Sequence, residues 1–88
     1  MKLKNEFEIV HVADEHILIP IGKQKEDFKG VVVLNEAAAF LLEEMKQDIT
    51  VDDMVQLLID KYDVDTSKAK EDIERILESI SELGLLAD

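Results

Sequence analysis

Residues 30–40 read Gly30-Val31-Val32-Val33-Leu34-Asn35-Glu36-Ala37-Ala38-Ala39-Phe40. Four apolar residues, three of them β-branched, fit a pleated, half-buried surface. They run without a linker into Asn35 and then into strong helix formers. Asn is a good helix N-cap because its side chain can accept from a free N–H of the first turn. Glu36 then sits where the helix dipole favours a negative charge. The stretch therefore predicts a strand over 31–34 that becomes a helix within one residue.

Upstream, the pattern has strand periodicity. Phe7, Ile9 and His11 are expected on one side of a strand, and Glu8, Val10 and Val12 on the other. Ala13-Asp14-Glu15 reads as a turn. His16 to Ile21, HILIPI, reads as the second arm of a hairpin. Pro20 cannot donate to a ladder, which places it at an edge or a strand end. Residues 22–30, GKQKEDFKG, form a polar loop bounded by glycines.

Downstream, the period is helical. The first helix, over about 36–45, carries Phe40, Leu41 and Met45 among its apolar positions. Thr50 opens a second helix with Asp53 three residues on, as in a capping box. Met54, Val55, Leu57, Leu58 and Tyr62 give that helix an apolar face. Asp65 or Ser67 caps a third, which runs to about Leu83 with Ala69, Ile73, Ile76, Leu77, Ile80 and Leu83 at helical spacing. Gly84 fits the C′ position, with Leu85 or Leu86 folding back on the last turn. Three strands followed by three helices argue an α+β fold. The expected architecture is winged helix-turn-helix-like, with a three-stranded antiparallel sheet followed by a three-helix bundle.

The 88 residues fit one domain, 1–88, with one modest core. No apolar run is long enough to span a membrane, and the N-terminus does not resemble a signal peptide, so the cytoplasm is the expected compartment. The formal charge of −11, from 10 basic and 21 acidic residues, repels a phosphate backbone. A DNA-reading helix would need a basic face. The third helix instead sets Lys68, Lys70 and Arg75 against Glu71, Asp72, Glu74, Glu78 and Glu82. Nucleic acid is not an expected partner.

Chemistry is equally hard to place. The absence of cysteine excludes disulfides, thiolate zinc sites and iron–sulfur clusters held by the chain. Three glycines do not make a phosphate loop. Ser67, Ser79 and Ser81 have no histidine near them in sequence. His11 and His16 flank the hairpin turn; with Asp14-Glu15 as its two central residues, His11 would pair with Leu18 and the histidines would not be opposite. The expectation is a protein without catalytic residues, metal or cofactor, either monomer or homodimer.

Several pieces in order carry a family resemblance. They are Leu34-Asn35-Glu36-Ala37-Ala38, then Phe40-Leu41-Leu42, Thr50 opening a helix, Leu58, Tyr62-Asp63-Val64, Asp72-Ile73, and Leu83-Gly84-Leu85-Leu86. From about residue 31 to 86 the chain resembles the PqqD-like family. The resemblance implies a winged-helix-like, non-enzymatic domain. Such a domain holds the leader of a ribosomally made precursor peptide and presents it to a modifying enzyme, often a radical S-adenosylmethionine enzyme. The open edge of a three-stranded sheet can accept an extended peptide through main-chain hydrogen bonds. The expected peptide site is the backbone of Val31, Val32, Val33 and Leu34, with a groove floor drawn from Ile73, Ile76 and Ile80. A winged-helix transcriptional regulator and an acidic protein-binding adaptor are the alternative readings.

Overall fold

The computed structural model describes residues 1–28 and 30–87. Lys29, in the expected polar loop, and Asp88, at the end of the expected domain, lie outside the described residues. The chain runs β1 (Phe7–Val12), β2 (Glu15–Pro20), α1 (Gln24–Asp27), β3 (Val32–Leu34), α2 (Glu36–Glu44), α3 (Val51–Tyr62) and α4 (Thr66–Glu82). The sheet is antiparallel with strand order β1-β2-β3, so the fold is α+β as expected.

Local chemistry sets the element ends. The Asn35 side chain accepts from the Ala38 amide at 2.8 Å, which caps α2 directly after β3. Thr50 and Asp53 form the reciprocal capping box of α3, at 3.0 and 3.1 Å. Asp65, not Ser67, caps α4 through the Lys68 amide. At the far end Gly84 takes φ 75°. Leu85 N donates to Ile80 O and Gly84 N to Ser81 O, the paired bonds of a Schellman motif. Leu85 itself is fully buried, as a residue folded back on its helix should be.

The core lies between the sheet and the helices. Leu18 of β2, Leu41 and Leu42 of α2, Met54 and Leu58 of α3, and Ile73 of α4 are almost entirely inaccessible. The N-terminal segment joins the same unit. Leu3 is buried and bridges Leu86, while its amide donates to Met45 O.

Four sequence expectations change. The strand expected over 31–34 begins at Val32, and Val31 stands exposed before it. The loop expected over 22–30 contains the single turn α1, making four helices among the described residues. The hairpin turn is Ala13-Asp14, not Asp14-Glu15, because Val12 pairs with Glu15. Its first central residue, Ala13, has φ 54°, the left-handed conformation that tight hairpin turns demand. That shift by one residue puts His11 directly opposite His16 instead of Leu18.

Candidate functional site

β3 is an edge strand, since β2 lies on one side of it and no strand lies on the other among the described residues. Which of its backbone groups face the free side follows from antiparallel alternation. Ile21 N donates to Glu6 O at 2.8 Å. With the register Glu8↔Ile19, Val10↔Ile17 and Val12↔Glu15, the odd-numbered residues of β2 direct their amides and carbonyls toward β1. The even-numbered His16 and Leu18 then face β3, opposite Leu34 and Val32. Val32 and Leu34 are thereby committed to the ladder. Val33 directs its amide and carbonyl to the open edge. Pro20, lacking a donor, ends β2 at a position where β1 asks for none.

Beside this edge lies a groove of about 200 Å³ between β3 and α4. Val32, Leu34, Ala38 and Ile76 give it apolar walls, and Asn35, Ser79 and Arg75 stand around them. The geometry of α4 explains the division of its isoleucines. Ile73 and Ile80, seven residues apart, point almost the same way, and both are buried in the core. Ile76 is turned about 60° from Ile73 and about 40° from Ile80, toward the groove, and is partly exposed. Of the sequence-expected floor residues, therefore, Ile76 lines the groove while Ile73 and Ile80 do not. Asn35, Ala38, Arg75 and Ser79 were not expected there. Asn35 reads as a cap and Ala38 as a helix former, and neither residue type marks a groove wall in sequence.

The electrostatics are one-sided. Arg75 Nη2 lies 3.3 Å from Asp72 and 3.6 Å from Glu71. Lys68 is likewise engaged, 2.9 Å from Asp72. α4 therefore presents no free basic stripe of the kind a DNA-reading helix needs.

A second cavity of about 200 Å³ lies under the hairpin tip, lined by His11, His16, Glu36, Phe40, Glu43 and Lys61 among others. The two imidazole Nδ1 atoms are 2.6 Å apart, within hydrogen-bond distance of each other. Lys61 sits over the rings of Phe40 and Tyr62, at 5.1 and 5.7 Å. Among the described residues no group of three or more His, Asp or Glu is placed to hold a metal ion. No helix among them is long and apolar enough to cross a membrane.

The sequence model of the family described as coenzyme PQQ synthesis protein D (PqqD) matches residues 15–86. The chain belongs to the PqqD family. The match begins at β2 and ends beyond α4, so it spans the edge strand and the groove. Two solved structures share the fold. One is TbiB1 in complex with the TbiA(beta) leader peptide, with a TM-score of 0.76, 17% identity, and coverage of 99% of this chain and 95% of that one. The other is a lasso peptide synthetase B1 complexed with the leader peptide, at TM-score 0.72 and 21% identity, covering 96% of this chain and 93% of that one. No curated protein matches the sequence. This chain keeps the fold of both solved chains while sharing about a fifth of their residues.

Proposed function

We propose that this PqqD-family protein is a non-catalytic adaptor that binds the leader of a ribosomally made precursor peptide and presents it to a modifying enzyme, of the radical S-adenosylmethionine class. The observation that carries the reading is the free backbone edge at Val33 beside an apolar groove, in a fold shared with two chains solved with leader peptides. The leader adds as a fourth strand along Val31 to Leu34. Main-chain bonds to Val33 supply register and much of the affinity, and side chains entering the groove over Val32 and Ile76 supply selectivity. Proton transfer and group transfer are left to the partner enzyme. The protein contributes an ordered, extended presentation of the substrate.

The test titrates candidate precursor peptides, taken from short open reading frames near the gene, into purified protein. Ile76→Glu places a charge beneath the apolar anchors and should weaken binding by roughly tenfold or more, about 1.4 kcal/mol. Val33→Pro removes the edge donor without touching the β2–β3 ladder and should reduce binding to a similar extent. Circular dichroism establishes first that both variants fold. If both folded variants bind the peptide as tightly as the parent, the peptide does not use this edge and groove.

A further inference from the structure

The face of the sheet turned away from the helices is apolar. Val10, Ile17 and Val33 stand in register across β1, β2 and β3. Ile19 and Val12 flank them on the same face, by the alternation of side chains along a strand. Val33 is 64% exposed and Val12 57%, and none of the five packs against the core. An antiparallel sheet with one face on its core normally turns polar residues to the water. A contiguous apolar face of this kind marks an interaction surface.

Three further features say what covers it. Glu8 and Glu15 are exposed at its margins, and the three strands contain no Lys or Arg among the described residues. Two copies meeting through this face would set those carboxylates against their counterparts, on chains that each carry −11. The complementary surface is apolar at its centre with Lys or Arg at its rim. Finally, the face reaches the free edge. Val33 puts its side chain on this face and its backbone on that edge. Cross-strand neighbours point to the same side of a sheet. The residue of an added peptide opposite Val33 therefore extends the row of three side chains to four.

We propose that the outer sheet face is the docking surface for the peptide-modifying enzyme, and that the enzyme contacts the row Val10, Ile17, Val33 together with the outward-facing residue of the bound leader. The inference rests on the strand-addition reading above and adds to it the surface that the enzyme contacts and a coupling between enzyme and peptide. Because the composite surface is complete only when the peptide is in place, peptide and enzyme each tighten the binding of the other by one common factor.

The experiment uses the full chain with the precursor peptide that binds it and the purified enzyme that modifies that peptide. Enzyme affinity is measured by calorimetry with and without saturating peptide, for the parent and for the double variant Val10→Thr, Ile17→Thr. A second variant, Val10→Lys, sets a cation in the middle of the apolar row in case loss of two branched apolar groups is tolerated. Neither position lies in the groove or on the β3 edge, so peptide affinity should stay within about twofold of the parent. The expected result is a parent that binds enzyme at least about fivefold more tightly with peptide present, near the low end of typical coupling, and variants that lose about tenfold or more in enzyme affinity. Failure of every candidate peptide to bind the parent overturns the strand-addition reading. Normal peptide binding with equal enzyme affinity for parent and folded variants overturns the docking surface. Concentration-dependent dimerisation of the parent in sedimentation velocity, abolished in the double variant, assigns the face to a second copy and also overturns it.

Discussion

On the inner face of the sheet the row Ile9, Leu18 and Val32 lies beneath the helices, and Leu18 is wholly buried. One residue along each strand, the row Val10, Ile17 and Val33 stands toward solvent, with Val33 mostly exposed. The two rows have nearly the same composition. Apolar character therefore does not decide which face is the core; register and the placement of the helices do. A slip of one residue would exchange the rows at little cost in side-chain chemistry. What holds the register is the tight turn at Ala13-Asp14, the buried Phe7 with Phe28 edge-on at 5.5 Å, and Leu34 buried directly before the α2 cap. The inner row is used by the fold. The outer row is left for something else.

The sharpest way to break this comparison is to truncate equivalent residues on the two faces. Leu18→Ala should cost about 2–5 kcal/mol, the range for emptying a buried leucine site. Its neighbour Ile17→Ala should cost no more than about 1 kcal/mol, because it opens no cavity. Urea denaturation of both variants measures the difference, and equal costs would mean that the outer face is not free.

The next contrast lies along β3 itself. Val32→Pro removes a donor committed to β2 and should destabilise by about 1–3 kcal/mol. Val33→Pro removes a donor that faces the edge and should stay within about 1 kcal/mol of the parent while losing peptide affinity. Thermal melts paired with peptide titration separate the two effects. The reverse pattern would exchange the ladder and edge assignments.

The helix layer that defines the inner face is itself held by caps. Asn35→Ala deletes the bond to the Ala38 amide and should cost about 1 kcal/mol, with Asn35→Gly milder. Because this cap fixes where β3 ends, the same variant should also weaken peptide binding, whereas Thr50→Ala at the remote α3 cap should lower stability alone.

The smallest effect concerns a buried side-chain polar atom without a partner. The Tyr62 hydroxyl is buried and accepts or donates no hydrogen bond among the described residues. Burial, with the Glu36 carboxylate adding to it, holds its pKa above the ordinary 10.0. Tyr62→Phe should be neutral or stabilising by up to about 1 kcal/mol. The neutral phenol is the form the fold favours. The parent should therefore lose stability as pH rises above 10 relative to the Phe variant, and the two should run parallel at lower pH. Melting temperatures between pH 7 and 11 test the sign.

Much of this fold was legible in the sequence because its punctuation is chemical. Asn35, Thr50 and Gly84 mark helix ends through bonds their residue types are suited to make, and each bond is present. The hairpin turn was not legible. Asp14-Glu15 and Ala13-Asp14 are both acceptable pairs, and nothing about alanine announces φ 54°. The two histidines were misplaced by that single step. The pairing of the first residues with Leu86 and Met45 was also hidden, since it joins segments at opposite ends of the chain. In the candidate site, Ile73, Ile76 and Ile80 share one residue type and one broad helix face. Only a rotation of about 40–60° around the helix, set against the position of β3, separates two core residues from one that lines the groove. Arg75 and Ser79 were hidden for a related reason: on an amphipathic helix they read as solvated surface.

The central claim is that a leader peptide adds to the free edge of β3, and backbone amide hydrogen exchange observed by NMR tests it most directly. In the free protein Val32 and Leu34 should exchange slowly and Val33 quickly. With saturating precursor peptide Val33 should become protected while Val32 and Leu34 change little, because only Val33 gains a hydrogen-bond partner. A peptide that binds and leaves Val33 exchanging at its free rate, with protection appearing on another element instead, would contradict the account.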